Sequence, residues 1–305
     1  MSHNVEIIAI DHGWSSCKTP TQVFVTGVKE ITTEPPLFND VLEYQGRYYQ
    51  IGGNRLPVLT TKVENENFYL LTMAGIGKEL KRKGKRCADI IIAAGLPLTR
   101  FGEEKEDFQK YLSKKKTLSY KFEEIPYQVN IKGVKIYPQC YAAIFDKISS
   151  LEQRVIVVDI GSWTVDIMPV VGKKPDIANC VTTNEGLIRC FRSIKDQCNR
   201  QLSGEVHESD IQHIMCGGES YMDEKYVKLI QSELHAYAER IYNSLREYGY
   251  NLDTTPIYFV GGGAVAMKNF GNLKTKNIHY DTDVRANAKG FEILAKSAMK
   301  EKKGC

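Results

Sequence analysis

Short apolar runs of β character recur along the chain, and two of them end in the same turn chemistry. Ile7-Ile8-Ala9-Ile10 leads into Asp11-His12-Gly13-Trp14-Ser15-Ser16-Cys17-Lys18, and Val155-Ile156-Val157-Val158 leads into Asp159-Ile160-Gly161-Ser162-Trp163-Thr164-Val165-Asp166. A second apolar run follows each loop, Val23 to Val28 and Val165 to Val171, so the pattern predicts two β-hairpins. A third run, Ile257-Tyr258-Phe259-Val260, enters Gly261-Gly262-Gly263-Ala264 ahead of a predicted helix. After the first hairpin, Tyr44-Gln45-Gly46-Arg47-Tyr48-Tyr49 reads as a tyrosine-rich hairpin. Asn67 to Lys83 has helical apolar spacing through Phe68, Leu71 and Leu80, and Ala88 to Ala94 reads as a buried strand ending at Gly95-Leu96-Pro97. Glu103 to Lys116 predicts a polar helix, Leu118 to Ile136 strands with a turn at Lys132-Gly133, and Pro138 to Ser149 a helix leading to the second hairpin. Beyond it, Glu185 to Leu202, Ser209 to Cys216 and Asp223 to Tyr248 predict helices packed on strands at 155 to 182 and 256 to 260. Arg285 to Lys300 predicts an alanine-containing helix that crosses back to the first domain.

The repeated Asp-x-Gly pattern matters because of what it delivers. Each strand ends in a carboxylate, the glycine lets the backbone pass close to a ligand, and small hydroxyl residues add donors. A lone Asp-x-Gly is an ordinary turn. The fuller Asp-x-Gly-x-x-Thr-x-Asp of 159 to 166 should arise by chance on the order of once in a few hundred chains of this size. With its repeat almost half a chain away, it predicts two related domains facing each other across a cleft and gripping one phosphate chain. The turn Gly261-Gly262-Gly263-Ala264 allows backbone contact with a flat ligand such as a purine or with its α-phosphate. Other nucleotide motifs fail. Gly75-Ile76-Gly77-Lys78 lacks the preceding glycine of a P-loop and has Glu79 where a magnesium-binding hydroxyl belongs; no Gly-x-Gly-x-x-Gly opens a helix after a strand. Zinc-protease spacing is also missing.

Composition sets outer bounds. The 305 residues, 42% hydrophobic and 26% charged, suit two packed domains that fold without staples. No apolar stretch reaches the roughly 18 residues of a membrane span, and the N-terminus goes almost straight into a strand, which predicts a cytoplasmic protein with no membrane association. The eight cysteines are scattered without Cys-x-x-Cys or zinc spacing, and most read as small buried hydrophobes. Cys17 lies in the first loop and reads as an inward-facing hairpin residue in preference to a reactive thiol. A net charge of +4 is too small to argue direct nucleic-acid binding. The positive charge gathers at Lys78 to Arg86 and Lys114 to Lys116, as solvated helix ends or as a basic surface for an acidic partner or a neighbouring subunit; no aromatics interleave to make a nucleic-acid groove.

The order of hairpin, connecting helix, Asp159-to-Asp166 hairpin, Gly-Gly-Gly-Ala turn and C-terminal helix resembles the actin, sugar kinase and Hsp70 ATPase superfamily over nearly the whole chain. Within it, residues 159 to 166, Phe259 to Ala264 and the step from Asp11 to Lys18 are most similar to the ParM/StbA group of bacterial actin-like ATPases that segregate plasmids. The resemblance implies an α/β, actin-like (ribonuclease H-like), duplicated two-domain fold with a central nucleotide cleft. Residues 1–153, with a C-terminal helix at 284–305 packing back, would form domain I and 154–283 domain II. It further implies an ATP-driven homopolymeric filament and a DNA-binding adaptor of a partition system as partner.

Phosphoryl transfer to water needs charge neutralisation, a phosphate cradle and a group that orients the attacking water. Asp11 and Asp159 are candidates to hold Mg²⁺ through water. Lys18 can set its ammonium on the phosphates of ATP, GTP being left open, while Gly13, Trp14, Ser15, Ser16, Gly161, Ser162, Trp163 and Thr164 complete the cradle. Asp166 contacts the site or pins the hairpin; Trp14 and Trp163 stack over the cleft or pack beneath it. Pro138-Gln139 falls where the resemblance places Pro-Glu in ParM-like proteins and glutamine in actin. A neutral Gln139 can orient water but is a poor base, which implies slow hydrolysis with Asp11 or solvent taking the proton. By the same resemblance Glu185 and Gly186 fall at the ribose, beside Gly261 to Ala264 at the nucleoside. A small-molecule kinase of the same superfamily is the main alternative, but no sugar-binding pattern lies between the loops. A chaperone-like switch would need a peptide-binding domain after Gly263, and the charged tail from Met299 to Cys305 is not a membrane anchor.

Overall fold

The computed structural model describes residues 5–273 and 275–301. The chain divides into two compact units, Met1–Asp146 with Arg285–Cys305 and Lys147–Val284. The end of the charged tail, residues 302–305, lies outside the described residues.

In the first unit, β1 (Glu6–His12), β2 (Ser16–Lys18), β3 (Val23–Val25), β4 (Val28–Ile31), β5 (Val41–Tyr44) and β6 (Arg47–Ile51) precede helix α1 (Asn67–Arg82). Then come β7 (Cys87–Leu96), α2 (Phe101–Leu112), β8 (Thr117–Phe122) and β9 (Ile125–Pro138). Nine strands form one sheet in the order β3-β2-β1-β7-β9-β8-β5-β6-β4, with β1, β7 and β9 parallel at its centre. The pleat sorts the side chains of β1. Ile8 and Ile10 join Phe68, Leu71 and Ile76 of α1 on one face, and Ala9 joins Ala93 on the other.

The second unit contains β10 (Arg154–Ile160), β11 (Val165–Val171), β12 (Lys174–Pro175) and β13 (Val181–Thr183), followed by α3 (Leu187–Leu202), α4 (Glu208–Met215) and α5 (Glu224–Glu247). After these come β14 (Ile257–Val260), α6 (Ala264–Phe270) and β15 (Ile278–Tyr280). The strand order is β12-β11-β10-β14-β15, with β13 paired to β11. Leu187, Phe191, Ile194 and Cys198 recur at helical spacing on α3 and bury one stripe with Ile156, Val158 and Ile160 of β10. Ile230, Leu234, Tyr237 and Ile241 of α5 complete this core.

The chain then returns to the first unit as α7 (Ala286–Glu301), which packs over Ala9 and Ala93 through Phe291 and Ala295. The approach is close enough to exclude a methyl group. A Cβ on Gly290 would lie 1.9 Å from the Ala142 carbonyl oxygen, and one on Gly95 would lie 2.0 Å from the Phe291 ring.

Four local readings are corrected. The partner of β1 is Ser16–Lys18, not the Val23 run: a turn closed by Thr19 N–H on the Gln22 carbonyl makes Val23–Val25 a third strand, and Val28 begins a fourth. The turn expected at Lys132-Gly133 lies instead at Glu123-Glu124, both in the left-handed region with φ 51° and 63°. Gly133 stays within β9, where one extra residue makes a bulge opposite Ile90 and Ile91 of β7. The polar helix ends at Leu112, since the Ser113 N–H turns back to the Gln109 and Lys110 carbonyls. The helix expected from Pro138 to Ser149 does not form. Pro138 closes β9, Gln139 N–H bonds the Leu96 carbonyl, and Cys140 adopts φ 68° with its N–H on the Asn287 side chain. Tertiary partners therefore take the groups a helix would use, leaving only 3₁₀ turns at Ala142–Ile144 and Ile148–Ser150.

The basic runs have local partners. Lys78 pairs with Asp40, Lys81 with Glu123 at 2.5 Å, and Lys83 and Lys85 both with Glu6. Lys114 pairs with Glu66 and lies over the Tyr69 ring. These acids, far off in sequence, neutralise much of what reads locally as a positive patch. Among the described residues no helix is long and apolar enough to cross a membrane.

Because α7 depends on a methyl-free contact, Gly290→Ala is expected to lower stability by about 1–3 kcal/mol. Urea denaturation of the variant beside wild type measures this, and an unchanged midpoint would show that the helix can shift without loss.

Candidate functional site

The first unit builds its candidate site at the end of β1. Asp11 is 3% exposed. Cross-strand register sets it opposite Lys18 of β2, whose ammonium lies 3.3 Å from Asp11 Oδ2. From the end of β9, two strands away, Gln139 donates its amide to Asp11 Oδ1 at 2.7 Å. Burial alone would raise the Asp11 carboxyl, but Lys18 and Lys62 and the Gln139 hydrogen bond outweigh it and hold the group below the ordinary range. The structure thus brings three of the sequence candidates, Asp11, Lys18 and Gln139, into one hydrogen-bonded set.

The loop between β1 and β2 is held from below. Thr26 donates its hydroxyl to the Gly13 carbonyl at 2.6 Å and its N–H to the Ser15 carbonyl at 3.0 Å. A Cβ on Gly13 would meet the Ser16 carbonyl oxygen at 2.6 Å and Lys18 Nζ at 2.8 Å. Ser15 Oγ is buried with no hydrogen-bond partner among the described residues, an available donor inside the loop; Ser16 begins β2. Trp14 packs edge-on against Phe68, with ring centroids 5.3 Å apart. Cys17 points inward, fully buried, and burial pushes its thiol up to about 11, so it is an inert core residue.

The neighbouring His12 is fully buried. Thr72 donates its only hydroxyl proton to the Phe68 carbonyl, so its contact with His12 Nε2 at 2.8 Å requires the imidazole to donate. Burial and the nearby Lys62 pull the His12 pKa down to about 3.

Lys62 is the residue that sequence reasoning missed. It sits in the segment between β6 and α1, is 7% exposed, and lies 6.0 Å and 5.8 Å from the Phe68 and Phe108 ring centroids. Burial lowers its pKa, opposed chiefly by the Asp11 carboxylate. It lines a cavity of about 310 Å³ with Thr60, Thr61, Arg100, Glu104 and Phe108. No motif could have singled it out, since nothing around it in sequence has a pattern.

In the second unit Asp159, 8% exposed, is the penultimate residue of β10. Gly161 N–H bonds the Thr164 carbonyl at 2.9 Å, closing the hairpin loop. The carbonyls of Gly161, Ser162 and Trp163 accept from the N–H groups of Leu187, Ile188 and Gly186, so the loop is fastened to the start of α3. Asp166 accepts from Thr164 at 3.2 Å and Thr182 at 2.5 Å and so ties the hairpin to β13. Trp163 carries the Arg192 guanidinium 5.2 Å from its ring centroid. The Glu185 carboxylate accepts from Ser244 at 3.1 Å, and its carbonyl from Tyr237 at 2.9 Å. Gly261 has φ 81°, and a Cβ there would lie 2.3 Å from Asp159 Oδ1, so only glycine lets this turn pass the carboxylate. Gly263 is equally constrained by Ile160 at 2.0 Å, whereas at Gly262 the nearest atom would be 3.8 Å away. Ala264 is buried at the start of α6. The second unit therefore brings Asp159, Gly161 to Thr164, Gly186 and Gly261 to Ala264 together. Among the described residues no group of three or more His, Cys, Asp or Glu side chains is arranged to hold a metal.

Two family models match the chain, one within each unit. Residues 9–141 match the family described as actin-like proteins N-terminal domain, and residues 157–272 the archaeal actin homologue MreB-like C-terminal domain. No curated protein matches the chain by sequence. Among solved structures, the archaeal actin homologue Ta0583 in complex with ADP is 19% identical with a TM-score of 0.75, covering 95% of this chain and 99% of that one. Bacillus thuringiensis ParM with ATP is 13% identical with a TM-score of 0.74, covering 97% and 100%. The Alp12 filament structure is 14% identical with a TM-score of 0.67, covering 96% and 98%. The fold is the actin-like fold, each unit carrying one of the two Asp-x-Gly hairpins. An actin-like family model thus matches within each half of the chain, over residues 9–141 and 157–272.

The buried imidazole gives a test of the first unit's packing. The unfolded chain accepts a proton on His12 below pH 6.5, whereas the folded protein resists it down to about 3, so stability falls as pH drops through that window. Between pH 6.5 and 5 the loss from this group is about 2 kcal/mol. His12→Gln is expected to remove that part of the pH dependence in urea denaturation at the two pH values. Equal slopes for both proteins would contradict the assignment.

Proposed function

We propose that the protein is an ATP-dependent, filament-forming actin-like protein that works in the cytoplasm and drives segregation of a plasmid or other DNA through a DNA-binding adaptor. The observation that carries the reading is the buried Asp11 carboxylate with Gln139 on one oxygen and Lys18 on the other. The nucleotide-bound and filament structures that share the fold support it.

In this reading the two half-sites act on one nucleotide. Lys18, Ser15, Ser16 and the backbone of Gly13 and Trp14 hold phosphates from the first unit. Gly161 to Thr164 hold them from the second, with Glu185, Gly186 and Gly261 to Ala264 at the nucleoside. Among the described residues neither unit offers an all-protein cage, so a Mg²⁺ held by Asp11 and Asp159 would keep most of its waters and meet the two carboxylates through them. When bound, Mg²⁺ neutralises phosphate charge. Gln139, with its amide on Asp11, has its carbonyl oxygen left as the end that orients the attacking water. Asp11 is a weak base in this setting, held below the ordinary carboxylate range, so hydrolysis is slow. Asp166 pins the hairpin and takes no part in the chemistry. A nucleotide held by both units binds the closed state better, and a hundredfold preference supplies about 2.7 kcal/mol for closure. Closure favours polymerisation, and hydrolysis weakens the filament.

Right-angle light scattering after addition of Mg-ATP, with phosphate release followed in the same sample, tests this. A scattering rise that decays as phosphate appears, lost in Asp159→Ala, is expected. Flat scattering with phosphate release that depends on an added metabolite would replace this reading with a small-molecule kinase.

A further inference from the structure

We propose that Lys62 is a phosphate-binding residue that recognises the terminal phosphate of the nucleoside triphosphate. The inference rests on the reading of the first unit as a phosphate site and adds a residue that no motif marks.

The argument is one of unmet charge. An isolated ammonium in a protein interior costs several kcal/mol unless hydrogen-bonded anions compensate it. Lys62 is buried, yet among the described residues it makes no hydrogen bond and no ion pair; its close contacts are the faces of Phe68 and Phe108. The two carboxylates that act on it are already engaged. Asp11 uses Oδ1 for Gln139 and Oδ2 for Lys18, and Glu104 pairs with Arg100. Asp11 attracts Lys62 over a longer distance without satisfying its three donors. The buried Ser15 Oγ, in the loop after β1, also lacks a partner among the described residues. Two unfilled donors in one half-site, one of them cationic, fit an oxygen-rich anion.

Asp11 and Gln139 are the groups the proposed reaction sets beside the bond that breaks. Lys62 lies over the Phe68 ring, against which Trp14 of the Asp11 loop also packs, so its ammonium lies on the terminal-phosphate side and separates ATP from ADP more than it contributes to binding both. Burial strengthens this discrimination by removing competing water. Once the terminal phosphate is lost, Lys62 returns to its uncompensated state, which disfavours the product complex.

Calorimetric titration of wild type, Lys62→Met and Lys62→Arg with Mg-ATP and with Mg-ADP tests the assignment. A charge-assisted hydrogen bond supports an expected loss of about tenfold or more in the preference for ATP over ADP in K62M. K62R, which keeps the charge, should retain a preference for ATP. Thermal unfolding without nucleotide should show K62M at least as stable as wild type, because an uncompensated buried charge has been replaced by an apolar side chain. An unchanged preference in K62M, or a loss of stability without nucleotide, would overturn the assignment and make Lys62 a structural cation held by Asp11. If wild type bound neither nucleotide, the phosphate-site reading itself would fall, an outcome distinct from failure of Lys62 alone.

Discussion

A single buried carboxylate organises the first unit. Asp11 stands at the end of a central strand, and its charge is held there by groups from two places in the sequence: Lys18 from the adjoining strand and Gln139 from the end of β9. Each of those groups is itself fixed by backbone structure. The pairing of β1 with β2 sets Lys18; the Leu96 carbonyl and the Cys140 link to Asn287 set Gln139. The irregular segment after β9 thus gives up helical hydrogen bonds in order to aim one amide at one carboxylate.

The second unit solves a related problem with glycine. Its carboxylate, Asp159, lies against a turn in which side chains are excluded by direct collision at Gly261 and Gly263. The hairpin loop beside it spends three carbonyls on the start of α3, so loop and helix are one rigid piece. The middle glycine has room around it, so its backbone is approachable while its neighbours' backbones are packed.

What the sequence made legible was local. The hairpin at 159 to 166 has all its determinants within eight positions, and the long helices announce themselves through apolar residues three and four apart, as in α3. The actin-like fold was an implication of the family resemblance that the two hairpins and the Gly-Gly-Gly-Ala turn carry. Features that depend on distant partners were not legible. The segment after Pro138 carries helical composition, yet tertiary hydrogen bonds draw it into 3₁₀ turns. Lys132-Gly133 looks like a turn but is a bulge, while Glu123-Glu124, with no usual turn residue, makes the turn because β8 and β9 are held on either side. Lys62 is invisible for the same reason: its meaning comes from Asp11, which is far away in sequence and adjacent only in the fold. The basic run at 78 to 86 likewise loses much of its apparent charge to Glu6, Asp40 and Glu123.

The central proposal is that the two units act on one nucleotide. Its most direct test is the stoichiometry of Mg-ATP binding by calorimetry under non-hydrolysing conditions, for wild type and for Asp11→Asn and Gly261→Val. The account predicts one nucleotide per chain and weakened binding by either variant, although the substitutions lie in different units. Two nucleotides per chain, or a variant in one unit that leaves binding unchanged, would contradict it.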